Sequence, residues 1–253
     1  MTIPPARFNR NYIYILVLIG SLLVLSWTYT IHMAAPMDRA SKASQFLFHD
    51  WSFHDYLMAV SMWAIMMIGM MLPGVTPWVL TLSGIRQTLT RATIKSAVMF
   101  LTGYIIVWTL FSVIAAIVQG ALHDRVLLDL SFAISDDLIT GGILITAGVY
   151  QWTPFKESCL KHCRTPLGFF MTSWKDGDMG AVYMGFTHGL FCVGCCWALM
   201  SLSFVAGIMN LLWMAGVTIY ILIDHTLTGR NWPGRLLGFA LVGWGVWHML
   251  KDA

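Results

Sequence analysis

Long apolar runs separated by short polar segments dominate the chain. A helix rises about 1.5 Å per residue, so roughly 20 apolar residues cross about 30 Å of hydrocarbon. Seven runs approach that length, near residues 12–31, 56–80, 97–119, 138–152, 181–206, 209–227 and 236–250. The pattern predicts an all-α fold, a polytopic transmembrane helix bundle forming a single integral membrane domain over residues 1–253. The fourth and seventh runs are short and allow partial re-entry, which leaves six full spans as the other count. The fifth and sixth runs are nearly continuous. A tight hairpin between them needs a permissive residue, and Gly207 supplies one. Arg7 and Arg10 before the first run imitate a secretory leader. The 20-residue apolar stretch exceeds the ~7–15 of a signal core, so it is read as a span.

Composition supports lipid as the solvent. Hydrophobic residues make up 58% of the chain and charged ones 11%, against about 25% charged in soluble domains. With the N-terminus cytoplasmic, the inner segments hold 11 of the 15 Lys and Arg, including Arg86, Lys95, Lys156, Lys161, Arg164, Lys175 and Arg235. Dropping the fourth span would leave 6 inside against 9 outside, so the positive-inside rule favours seven. These readings predict a multi-pass protein of a bacterial cytoplasmic (inner) membrane. No basic stripe suggests nucleic acid as a partner, and no internal repeat is visible.

Chemistry concentrates in the third quarter. Cys159, Cys163, Cys192, Cys195 and Cys196 are the only cysteines and fall within 38 residues. An odd, clustered set suits metal binding or redox chemistry better than a disulfide framework. On a helix, His188, Cys192, Cys195 and Cys196 recur at i, i+4, i+7 and i+8 and share one face, with Met184 one turn earlier. Soft sulfur favours Cu(I), zinc or iron–sulfur clusters, and imidazole suits copper and zinc. Cys159 and Cys163, with His162 between them, lie on a short helix opened by Thr153 as cap and Pro154 at its first position. Its polar side places it at the inner surface, with Cys192 ~18 Å deeper along the next span. One shared site therefore requires the segment to fold back, and two sites along a path are equally compatible. Against all of this stands ordinary packing, since an isolated buried cysteine is a common small hydrophobe.

The second run adds Met62, Met66, Met67, Met70 and Met71. Positions 62, 66 and 70 form one i+4 row, and 67 and 71 another. Thioethers can pass Cu(I) between weak sites, whereas flexible gap-filling is the structural alternative. Asp224 and His225 close the sixth run, where interfacial solvation is the expectation. His32, His49 and His54 fall in the first outer segment, as a solvated loop or an entry site.

Several stretches resemble a known family. They are residues 147–166 around Cys159-Leu-Lys-His-Cys163, Trp174 to Gly177, Met184 to Met200, Gly207 to Met214, and Met66 to Pro73. Together they are similar to an uncharacterised bacterial family of predicted metal-binding integral membrane proteins, from about Asp55 onward. The resemblance implies that Cys159, His162, Cys163, His188, Cys192, Cys195 and Cys196 occupy the family's cysteine and histidine positions. One departure is Asp224-His225, where that family usually carries Glu-Lys.

Three function classes follow. The first is a protein handling a copper ion, binding or transferring Cu(I) with a metallochaperone or membrane complex as partner. Zinc is the alternative metal. The second is a membrane thiol–disulfide oxidoreductase using the vicinal Cys195-Cys196 pair. The third is a structural or assembly subunit. No phosphate-binding glycine loop, Ser-His-Asp set or His-Glu-x-x-His motif is present, which argues against a hydrolase.

Overall fold

The computed structural model describes residues 10–37, 51–89, 93–125, 127–128, 132–227 and 232–251. The expectations attached to Arg7 and His49 lie outside the described residues. Among the described residues the fold is all-α, with one isolated bridge between Leu128 and Ile134. The helices are α1 (Arg10–Met37), α2 (Phe53–Leu89), α3 (Thr93–Asp124), α4 (Asp137–Tyr150) and α5 (Pro154–Arg164). They continue as α6 (Pro166–Thr172), α7 (Gly177–Ser201), α8 (Ser203–Ala206), α9 (Leu211–Thr226) and α10 (Trp232–Lys251).

Four stretches are long and apolar enough to cross a membrane: Tyr12–Ala34, Phe53–Ile85, Thr93–Asp124 and Gly177–Ala206. That is fewer than the seven expected from the runs. α4 and α9, with 14 and 16 residues, are apolar but short. At ~1.5 Å per residue they reach about 21 and 24 Å, less than the ~30 Å of a hydrocarbon core. Large apolar side chains nevertheless face outward over much of the bundle, among them Leu25, Ile114, Leu212 and Phe239. So extensive an apolar exterior fits association with lipid.

Local signals set the helix starts. The Asp136 side chain accepts from the Ile139 amide, Thr153 accepts from Lys156, and Asn210 accepts from Trp213. Each satisfies an orphan donor of a first turn. The chain reverses after α8 at Gly207, whose φ of +93° only glycine adopts without strain.

α2, α3 and α7 form the centre of the bundle. α3 and α7 cross with their backbones in contact, because a Cβ at Gly185 would lie 1.9 Å from the Phe100 carbonyl oxygen. Such close crossings through small residues are how helices pack where lipid removes any hydrophobic drive between them. α4 pairs with α10 in the same way, through Gly148 and Gly238.

Candidate metal centre

α4 is too short to carry the chain across the bundle, and this decides where α5 lies. The Tyr150 hydroxyl at the end of α4 donates to the Gly194 carbonyl. Gly194 stands ~26 Å along α7 from its start at Gly177. α5 therefore begins beside the middle of the cysteine motif and packs along α7, burying Lys156, Cys159, Leu160 and Cys163. The expected location at the end of the α7 span is corrected accordingly, and the required fold-back is present.

Further contacts fix both ends of α5. Trp78 Nε1 on α2 donates to the Cys163 carbonyl at 2.9 Å. Arg164 Nε donates to the Asp224 carbonyl on α9 at 2.8 Å, and its Nη2 reaches Asp224 Oδ1 at 3.2 Å. Lys156 Nζ donates to Asp224 Oδ2 at 3.0 Å and also to Gln151 Oε1. The three charged side chains are almost fully buried. Asp224 and His225 therefore lie inside the bundle, not in a solvated interface as expected from their position at a run's end. A cavity of ≈ 350 Å³, lined in part by Lys156, Asp224, Gln151 and Arg235, opens against this ion pair.

These contacts bring α5, α7 and α9 together around one cluster. The ligand-capable atoms of Cys163, Cys192, Cys195 and His225 all lie within 4.8 Å of one another. Cys163 Sγ is 3.8 Å and Cys196 Sγ 3.2 Å from Cys195 Sγ. His225 Nε2 lies 3.5 Å from Cys195 Sγ and 3.7 Å from Cys196 Sγ. The Tyr104 hydroxyl sits 3.2 Å from Cys192 Sγ. All five cysteines are free thiols, with sulfurs well beyond the ~2.05 Å of a disulfide.

The grouping differs from the set expected from sequence. His188 is buried but stacks on Trp78, with ring centroids 3.8 Å apart, and lies flat against Tyr104 and Phe100. Its Nδ1 has no hydrogen-bond partner among the described residues. His162 stacks on Phe191 at 3.9 Å. Neither imidazole joins the four-residue group. Cys159 packs against Gly194, and Cys196 borders the group through Cys195 and His225. Burial pushes the Cys159 thiol up and the His162 imidazole down, so each favours its neutral form. Met66, Met67, Met70, Met71 and Met184 are fully buried. His225 is the donor that sequence reasoning missed. Its signal was an Asp-His pair inside an otherwise apolar helix, where a polar group is a functional candidate by default.

A family model described as PpoB2, copper chaperone, matches residues 60–248. The chain belongs to this copper-chaperone family. The match takes in all four residues of the cluster and the Lys156–Asp224–Arg164 network. It agrees with the metal-binding character that the sequence resemblance implied. No curated protein and no solved structure matches.

Proposed function

We propose that this copper-chaperone family member is a membrane-embedded Cu(I)-binding protein. It takes up Cu(I) at Cys163, Cys192, Cys195 and His225 and passes it on by ligand exchange to an acceptor protein. The observation that carries this reading is the convergence of three thiols and an imidazole from three separate helices within 4.8 Å. Thiolates are the soft donors that select Cu(I), and imidazole accepts it too. Cys196 and Cys159 flank the group, so a bound ion can change partners one sulfur at a time. Cu(I) with two or three thiolates is anionic, and the buried Lys156–Asp224–Arg164 set carries one surplus positive charge beside it. The apolar exterior supports residence in a bilayer.

Three cysteines and one histidine are also a tetrahedral zinc donor set, so zinc is the second reading. Thiol–disulfide exchange would use the Cys163–Cys195 pair, the two sulfurs that meet between helices. The test is elemental analysis and Cu(I) titration, against a chromophoric chelator, of protein purified under reducing conditions. The account expects tight Cu(I) uptake that Cys192→Ser and Cys195→Ser abolish. Retained zinc that Cu(I) does not displace, or no uptake at all, overturns it. Thiol loss on air oxidation without metal uptake would favour the oxidoreductase.

A further inference from the structure

A second group of soft donors lies at the other end of α2. A cavity of ≈ 210 Å³ is lined by Met33, Met58, Met62 and Met209, with His54 and Gln119 beside them. Four separate helical or loop segments supply these side chains: the end of α1, the start of α2, the end of α3 and the turn before α9. Gln119 is oriented from behind, because its Oε1 accepts from the buried Trp63 Nε1 at 2.7 Å. Among the described residues no carboxylate other than Asp55 lines this cavity, and Asp55 Oδ2 already accepts from the Ser52 amide and hydroxyl. The donor set is thus thioether and imidazole, which suits a soft monovalent cation and not calcium or magnesium.

The cavity is connected to the thiol cluster by sequence spacing along one helix. Met58, Met62, Met66 and Met70 lie on a single i, i+4 ridge of α2, whose next position is Gly74. A Cβ at Gly74 would stand 3.2 Å from His225 Nδ1, so the missing side chain leaves room for the imidazole whose other nitrogen faces Cys195. Met66 and Met70 are buried in the bundle, whereas Met58 at the mouth is 46% exposed. From Met62 to Gly74 is ~18 Å along the helix. The ridge thus starts in a cavity lined by four methionines and ends on a donor of the thiol cluster.

We propose that the Met33/Met58/Met62/Met209/His54 cavity is a second Cu(I) site, weaker than the thiol cluster, and that the Met66–Met70 ridge joins the two. Neutral thioethers bind Cu(I) without the charge attraction of thiolates, so the ion moves downhill from the cavity to the cluster with no electron transferred. Met33, His54 and Met58 precede the residues that the family model matches. The relay rests on the Cu(I) reading above, whereas the cavity site stands on its own donors.

The experiment is stepwise loading of detergent-purified, selenomethionine-labelled protein with Cu(I), read by X-ray absorption and by chelator competition. Wild type should bind two equivalents, and copper–selenium scattering should appear as the second is added. Met58→Leu/Met62→Leu/Met209→Leu, which keeps volume nearly constant, should lose the weaker ion alone and keep the tight one unchanged within about threefold. Cys195→Ser should lose the tight ion and retain the copper–selenium signal. Failure of the thiol-cluster reading would show as a tight ion indifferent to Cys195→Ser, with the selenium signal still present. Two equivalents in the triple leucine variant, or no copper–selenium scattering in the wild type, overturns the second site.

Discussion

Asp224→Asn is the sharpest probe of how the candidate centre is held. The carboxylate sits between Lys156 Nζ at 3.0 Å and Arg164 Nη2 at 3.2 Å, and all three side chains are at most 5% exposed. The amide keeps the shape and one acceptor but removes the only negative charge in the set. Two buried cations then face each other without compensation. Breaking a buried ion pair from one side costs about 3–5 kcal/mol. For a chain of this size that corresponds to a fall in unfolding midpoint of roughly 10 °C. Lys156→Met should be milder, because the Arg164–Asp224 pair survives intact. The double variant Lys156→Met/Asp224→Asn should be more stable than Asp224→Asn alone, since it removes the repulsion that the single change creates. A non-additivity of ~1 kcal/mol or more is expected. The assay is thermal or SDS-driven unfolding of the metal-free protein in mixed micelles, followed by circular dichroism. Loss below ~0.5 kcal/mol in Asp224→Asn, a size typical of neutral surface changes, would refute the buried network. So would a double variant no better than the single.

Further outcomes concern helix packing, a buried carbonyl and the two histidines. Gly185→Ala should abolish folded protein, because its methyl would meet the Phe100 carbonyl, whereas Gly142→Ala and Gly216→Ala meet nothing within 4 Å. Those two should raise the unfolding free energy by up to ~1 kcal/mol, measurable by the same unfolding assay. Trp78→Phe strips the donor from the buried Cys163 carbonyl and should cost about 1–3 kcal/mol, again by unfolding. His225→Ala should weaken Cu(I) binding at least tenfold, about 1.4 kcal/mol, in chelator competition. His188→Phe keeps the stack on Trp78 and should leave the affinity within about threefold.

Much of this architecture is legible in the apolar periodicity. The shared face of Cys192, Cys195 and Cys196 follows from helical spacing alone, and α7 buries all three. The same spacing put His188 on that stripe, but it cannot say what stands opposite, and the rings of Trp78, Phe100 and Tyr104 claim the imidazole. The position of Cys163 is obscured because the apolar run near residues 138–152 reads as a span, with re-entry only the other possibility. Only the 14-residue length of α4 shows that α5 starts beside Gly194. His225 was hidden for a related reason. The end of an apolar run reads as the end of a span, yet α9 is also short, and its terminus is tied into the bundle by Arg164 and Lys156. Long-range ion pairs leave no periodic trace in a single sequence.

Copper-edge X-ray absorption of the singly loaded protein tests the central claim most directly. The account predicts a sulfur-dominated shell with one imidazole contribution that disappears in His225→Ala and persists in His188→Phe. A shell of nitrogen and oxygen alone, or an imidazole signal that follows His188, would contradict it.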